Sequence, residues 1–190
     1  MNEIFLSYKR SDEAGYVKTL TDSLHDKFGE GMVYRDVDSN IAGTNWKKTI
    51  ARAVSGAEIV LAVIGPKWQE LITGSSSRER DWVRYELNQA NDLDVPIIPV
   101  RVAGAGFIDK DLGELNWLTD LQFFELADGQ GRWEADIDRL AGDISKRTQL
   151  EVIEKAQKKA SSISQSSTGD GSHNIVSSGP VTLNYGKDSD

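Results

Sequence analysis

The apolar residues of the first 147 positions gather in short runs, each bounded by polar residues, glycine or proline. Such runs are too short for helices and are typical of strands. They predict strands at 4–7, 32–34, 59–64, 95–100 and 121–126. The third run contains no polar residue, which indicates a strand covered on both faces, as in a parallel sheet. Two prolines in the fourth run favour an end or edge position for that strand.

The segments between these runs carry apolar residues at every third or fourth position, which is typical of amphipathic helices. The apolar stripes are Tyr16, Leu20, Leu24 and Phe28; Trp46, Ile50 and Val54; Val83, Leu87 and Ala90; and Trp133, Ile137, Leu140 and Ile144. Alternating strands and helices predict an α/β fold: a flavodoxin-like, doubly wound, five-stranded parallel sheet with helices on both faces, plus a C-terminal tail. Sites in such folds lie beyond the carboxyl ends of the strands. Here those ends are the loops 7–11, 35–45, 65–68 and 101–112.

The composition changes after residue 147, so we expect a folded domain at 1–147 and a tail at 148–190. Residues 150–160 fit a polar, marginal helix. Residues 161–190 hold nine serines and four glycines, which favours a flexible chain. The alternative is a short hairpin, with strands at 174–176 and 181–185, that docks on a partner or a second copy by strand addition.

Composition removes several classes of function. The 190 residues carry a net charge of −8, which argues against a nucleic-acid partner. Without cysteine there is no disulfide, thiolate metal site or cysteine nucleophile, and two histidines make a histidine-rich metal site or a Ser-His-Asp triad unexpected. No apolar stretch reaches membrane-spanning length, and the first residues do not resemble a signal peptide. We therefore expect a cytoplasmic protein without a membrane partner.

Phosphate-binding motifs of similar folds are also missing from the sequence. Neither G-x-G-x-x-G after the first strand nor G-x-x-x-x-G-K-[ST] is present. A phosphoacceptor receiver domain places acidic residues after its first and third strands, whereas this chain has Ser7 and Gly65 at those ends. Phosphoacceptor chemistry is therefore not expected.

One pair of residues remains as a candidate for chemistry. Trp82 and Glu86 are four positions apart on the third predicted helix and therefore lie on the same face. Their stripe is rotated by about 100° from the apolar stripe of that helix, which places the pair at the border of the core. A half-shielded carboxylate beside an aromatic side chain suits a cationic sugar transition state. The alternative interpretation is a boundary tryptophan and a solvated glutamate.

Three segments together resemble one known family. Residues 4–12, with the sequence IFLSYKRSD, resemble box 1 of the Toll/interleukin receptor (TIR) domain. Residues 33–36 and 41–43 resemble the second TIR strand and the BB loop that follows it. Residues 81–87 match the W-x-x-x-E motif of TIR domains that cleave NAD. The resemblance covers residues 1–147 in the expected order of elements, and the tail lies outside it.

The resemblance implies a set of site residues. Glu86 corresponds to the catalytic glutamate of the motif, and Trp82 corresponds to the tryptophan that lines the pocket. The other substrate-binding correspondences are Tyr8, Lys9, Arg10, Phe5 and Asp36. The first three follow the first strand on the nicotinamide side of the pocket, and the last two are weaker. From the residues alone, a solvated loop at 8–10 and a turn residue at Asp36 remain alternatives.

The activity that the resemblance implies is that of an NAD+ glycohydrolase. Such an enzyme releases nicotinamide from its substrate NAD+ and forms ADP-ribose or a cyclic ADP-ribose isomer. NAD+ already carries a cationic leaving group, so this cleavage needs no strong general acid, no cofactor and no metal. A carboxylate at position 86 stabilises the oxocarbenium-like transition state, and Lys9 or Arg10 neutralises the pyrophosphate.

The resemblance also implies a biological setting. Bacterial relatives are defence or signalling effectors, and TIR enzymes self-associate so that the BB loop of one copy helps to complete the site of the next. The tail is then available for a sensor or activator protein. A different class remains open, namely a non-enzymatic TIR scaffold that only binds other TIR domains. The W-x-x-x-E pair favours the enzyme.

Overall fold

The structure is a computed structural model and describes residues 4–35, 45–74, 82–109, 111–127 and 131–153. Its strands are β1 (Ile4–Tyr8), β2 (Val33–Arg35), β3 (Ile59–Ile64), β4 (Ile97–Arg101) and β5 (Phe124–Glu125). They form one sheet of parallel strands in the order β2-β1-β3-β4-β5. This is the strand order of flavodoxin-like folds and confirms the predicted doubly wound sheet.

The helices between the strands follow the predicted apolar stripes. They are α1 (Arg10–Phe28), α2 (Trp46–Ser55), α3 (Trp68–Thr73), α4 (Trp82–Asp92), α5 (Trp133–Arg147) and a 3-10 helix at Gly113–Asp120. Four of them were predicted from periodicity. The six residues of α3 and the eight of the 3-10 helix were not, because so short a segment cannot repeat an apolar period of 3.6 residues.

Alternate residues of the central strands enter two separate apolar layers. Ile4 and Leu6 of β1 pack with the buried stripes of α1 and α5. Phe5 lies in the other layer, with the buried stripes of α2 and α4. All six residues of β3 are buried because both layers cover this strand. The prediction of a strand covered on both faces is therefore confirmed.

Strand β4 is not the edge strand that its prolines suggested. It pairs with β3 along its whole length and with β5 at Val100 and Arg101. The carbonyl of Pro96 accepts a hydrogen bond from the N–H of Val60 in β3, so Pro99, three positions later, faces β5. Because β5 pairs only beyond Pro99, the missing N–H of this proline breaks no ladder bond.

The packed chain continues past the end of α5. Leu150 is 8% exposed and joins the layer of α1 and α5. The N–H of Ile153 donates to the carbonyl of Lys27 at 2.7 Å. Its Cδ1 lies 3.2 Å from the position that a Cβ on Gly29 would take, and Gly29 ends α1 at a φ of +103° that favours glycine. These contacts attach residues 148–153 to the C-terminal end of α1.

The folded part of the chain therefore extends beyond the predicted end at 147. Residues 150–153, the first positions of the predicted polar helix, are not helical. The chain divides into compact units at 1–154 and 155–190. The second unit lies outside the described residues, so the Ser/Gly-rich tail and its hairpin stay predictions.

Substitution of Leu150 tests whether this segment belongs to the domain. Leu150→Ala is expected to lower the free energy of unfolding by about 2 kcal/mol, because it leaves a cavity beside α1 and α5. Val152→Ala is the matched control. Val152 is 41% exposed, and its truncation is expected to cost less than about 0.5 kcal/mol. Urea unfolding followed by tryptophan fluorescence measures both values, and equally small effects would contradict the packed role of residues 148–153.

Candidate functional site

A buried carboxylate lies between helix α4 and strand β1. Glu86 is 2% exposed and Ser7 is fully buried. The hydroxyl of Ser7 donates a hydrogen bond to Oε2 of Glu86 at 2.7 Å. The interpretation of Glu86 as a solvated glutamate is therefore wrong, and the side chain lies deeper than the half-shielded border position expected from helix geometry.

Helix α4 positions this carboxylate through its apolar stripe. Val83, Leu87 and Ala90 are buried, as predicted, and fix α4 on the sheet. Glu86 lies beside this stripe, and Trp82 is partly buried one turn earlier on the same face. These contacts fix both motif side chains relative to the sheet.

The direction of α4 determines which of the two motif residues lies nearer the carboxyl ends of the strands. The C-terminal end of α4 leads at once into β4, since the N–H of Val95 bonds to the carbonyl of Ala90 and β4 begins at Ile97. The N-terminal end of α4 therefore lies toward the carboxyl ends of the strands. Trp82 lies between Glu86 and that edge, which is the edge where such folds bind ligands.

Lys9 and Arg10 follow β1 at the expected edge, but Tyr8, the last residue of β1, points away from Glu86. Tyr8 packs against the apolar layer of α1 and α5, on the opposite face of the sheet from α4. Lys9 precedes α1 and is half-buried, and Arg10 is the exposed first residue of that helix. The structure thus places all three at the carboxyl end of β1, and Tyr8 is separated from the carboxylate by the sheet.

Phe5 and Asp36 are the two residues that the family resemblance placed in the site least firmly. The structure describes only Phe5. Phe5 is fully buried and stacks on Tyr34, with ring centroids 5.3 Å apart and planes inclined by 27°. It belongs to the apolar layer of α2 and α4, and its role as a substrate contact stays a prediction. Asp36 lies outside the described residues, so its role stays a prediction.

Asp12 joins the start of α1 to the loop after β3 at the same edge of the sheet. Its Oδ1 accepts a hydrogen bond from the N–H of Lys67 at 2.9 Å. A Cβ on Gly65 would lie 2.5 Å from Oδ2 of Asp12, so only glycine permits this close approach. Asp12 therefore holds the start of α1 against the loop after β3. It lies in the box 1 segment, but nothing in its spacing indicated this contact.

Arg84, between the two motif residues, connects three elements. Its guanidinium donates to the carbonyl of Leu112 at 2.8 Å and to the carbonyl of Ile72 at 3.1 Å. Leu112 immediately precedes the 3-10 helix, and Ile72 lies in α3. Arg84 therefore attaches both unpredicted elements to α4. No sequence signal identified this role, since a helical arginine is usually solvated.

Comparison with known protein families shows which family this chain belongs to. Residues 4–141 match the family model of the TIR domain. The chain belongs to the TIR domain family.

The TIR domains in the structure of the activated Roq1 resistosome directly recognizing the pathogen effector XopQ have a similar fold. The TM-score is 0.53, the sequence identity is 16%, and the match covers 76% of this chain and 99% of that chain. At this identity the likeness shows the fold alone. A search of curated proteins gave no match.

The family assignment confirms the resemblance that box 1, the second strand and the W-x-x-x-E motif carried. In this TIR domain the motif lies on α4, with Glu86 buried against β1 and Trp82 one turn closer to the site edge. The sequence did not indicate Ser7 as the partner of Glu86. Strand alternation offered a signal, because it places Ser7 on the same face as Phe5 in a run that is otherwise apolar.

The described residues of the TIR domain also bear on metal binding and on membrane insertion. Across the described ranges, no group of three or more His, Asp or Glu side chains is arranged to hold a metal ion. None of the helices in those ranges is long and apolar enough to cross a bilayer.

Removing the guanidinium of Arg84 tests its role in holding the site helix. Arg84→Met keeps the apolar stem but deprives two carbonyls of a charged donor, so the free energy of unfolding should fall by about 1–3 kcal/mol. Arg52→Met is the matched control, because Arg52 is exposed on α2. It should change the value by less than about 0.5 kcal/mol. Hydrogen exchange of the 3-10 helix should accelerate in the Arg84 variant alone, and unchanged exchange would contradict the assignment.

Proposed function

We propose that this TIR domain is an NAD+ glycohydrolase that releases nicotinamide and forms ADP-ribose or a cyclic ADP-ribose isomer. One observation carries the proposal: the motif carboxylate Glu86 is buried, hydrogen-bonded by Ser7, and one turn from the motif tryptophan Trp82. TIR domains include NAD+-cleaving enzymes, which supports the proposal for a chain of this family.

The proposed reaction breaks the bond between the ribose C1′ and the nicotinamide nitrogen. Nicotinamide leaves as a neutral molecule because it takes the bonding electron pair, and the sugar becomes oxocarbenium-like. Attack by water and loss of a proton then give ADP-ribose, whereas attack by an adenine nitrogen gives the cyclic isomer. The leaving group requires no protonation, so a chain poor in histidine is adequate for this step.

Glu86 is the catalytic residue in this proposal. Its negative charge stabilises the positive charge that develops on the ribose. Because Glu86 is almost fully buried, less water screens this attraction than at an exposed carboxylate.

The other proposed contacts bind the substrate at the carboxyl edge of the sheet. Trp82 stacks on a ring of NAD+. Lys9 and Arg10, at the start of α1, neutralise the pyrophosphate. Tyr8 borders the site only from the end of β1, since its ring packs on the other face of the sheet. NAD+ is the substrate, and the proposal includes no cofactor or metal.

The proposed setting is an assembly of several copies. TIR domains self-associate, and the structurally similar domains belong to a resistosome, which supports an oligomer here. We propose that a sensor or activator protein acts through the tail, that the enzyme works in the cytoplasm, and that it serves bacterial defence or signalling.

Substitution of the motif glutamate tests the proposal. Glu86→Gln and Glu86→Ala are expected to lower nicotinamide release from NAD+ on the order of 10²- to 10³-fold, because the negative charge at the ribose is lost. The measurement uses purified full-length protein at high concentration with a crowding agent, and chromatography quantifies nicotinamide. Asp92→Asn, at the exposed end of the same helix, is the control and should keep the parental rate.

One outcome would contradict the role of Glu86, and another would contradict the enzymatic activity itself. Equal rates for the parent and both Glu86 variants would exclude Glu86 as the catalytic residue. A parent that assembles into oligomers but releases no nicotinamide would support the non-enzymatic scaffold instead. Sedimentation velocity on the same samples separates this scaffold outcome from a protein that does not assemble.

A further inference from the structure

Ser7 is a polar residue at a strand position that would normally be apolar. It follows Ile4, Phe5 and Leu6 in β1, and all four residues are fully buried. Burying a hydroxyl without a hydrogen-bond partner costs roughly 1–3 kcal/mol. Alanine would occupy this position without that cost, so the hydroxyl needs an explanation beyond the packing of β1.

The surroundings of Ser7 explain where the hydroxyl acts. Ser7 is on the face of β1 that α4 covers, and its register partner on β3 is Ala62, another small residue. The two small side chains leave space above the sheet for the carboxylate of Glu86. Ser7 is 79 positions from Glu86 in sequence, so the two residues meet only because α4 packs across β1.

We propose that Ser7 is a positioning residue for the catalytic carboxylate of Glu86, an inference that rests on the proposed NAD+ glycohydrolase activity. The donated hydrogen bond to Oε2, at 2.7 Å, restricts Glu86 to one rotamer. It also stabilises the ionised carboxylate, which is the form that faces a cationic ribose. Ser7 itself touches neither the substrate nor the reacting atoms.

This role differs from simple packing in a measurable way. A side chain that only fills space affects stability and leaves the pH dependence of turnover unchanged. A hydroxyl that donates to an ionised carboxylate favours the charged form. Removing the hydroxyl should therefore make Glu86 easier to protonate and move the acidic limb of the pH–rate profile to higher pH.

Three variants of the full-length protein separate the two roles. Ser7→Ala removes the hydroxyl and leaves a gap of only one oxygen atom. Ser7→Thr keeps the hydroxyl on a β-branched residue that suits a strand. Ser145→Ala is the matched control, since the hydroxyl of Ser145 is buried in α5 without a hydrogen-bond partner among the described residues, in the layer on the other side of the sheet.

Steady-state nicotinamide release from pH 4 to 9 supplies the measurement, with urea unfolding to check that each variant is folded. Ser7→Ala is expected to lower kcat by about 10- to 100-fold, the value of a lost hydrogen bond to a charged group, with little change in KM. Its acidic limb should lie at higher pH than that of the parent. Ser7→Thr should keep the parental limb because its hydroxyl still donates, even where its added methyl group lowers kcat. Ser145→Ala should match the parent throughout.

The outcomes distinguish this inference from the proposed function. An active parent whose Ser7→Ala variant keeps the parental kcat, or loses kcat with an unchanged acidic limb, overturns the positioning role and leaves the glycohydrolase intact. A parent that assembles into oligomers but releases no nicotinamide overturns the proposed function and the inference together. A shifted acidic limb in Ser7→Ala, absent from Ser7→Thr and Ser145→Ala, supports both.

Discussion

Strand β3 carries apolar side chains on both faces, and an apolar layer must cover each face to keep them from water. Each fully buried Ile, Val or Leu stabilises the fold by roughly 1.5–3 kcal/mol relative to exposure. The chain meets this requirement by placing α1 and α5 on one face and α2 and α4 on the other. The same arrangement brings the carboxyl ends of all strands to one edge, where the candidate site lies.

The contact between Ser7 and Glu86 is the polar exception within this apolar arrangement. A buried carboxylate is unfavourable unless hydrogen bonds compensate for lost hydration. Serine in the centre of the sheet provides one such bond at 2.7 Å. Positions where a protein departs from the packing rules that the rest of its sequence obeys are commonly functional sites. The carboxylate in this buried contact belongs to Glu86, which is also the glutamate of the W-x-x-x-E motif.

Helix α4 packs on the sheet, carries the two motif residues and binds neighbouring segments. Its buried stripe fixes it to the sheet, the neighbouring stripe carries Trp82 and Glu86, and Arg84 holds α3 and the segment before the 3-10 helix. Asn88 continues this series, since it accepts a hydrogen bond from the indole N–H of Trp117 at 3.1 Å. These contacts together fix the helix that carries the candidate catalytic residue.

Local patterns determined the strands, the long helices, the doubly wound sheet and the residues of the motif. Apolar periods of 2 and 3.6 residues indicate which face of a strand or helix is buried. They correctly predicted the burial of β3 and of the stripe of Val83, Leu87 and Ala90. The same periods placed Glu86 at a border, because they describe a helix alone and contain no information about the strand it covers.

Only the tertiary structure decided which distant residues meet. Ser7 reaches Glu86, Arg84 reaches Leu112, and Asp12 reaches Lys67 through the packing of elements that are far apart in sequence. It also turned Tyr8 to the opposite face from Glu86 and placed Leu150 in the core. The physical reason is that strand register and helix placement arise from the summed packing of both layers, and no single segment of the sequence specifies that sum.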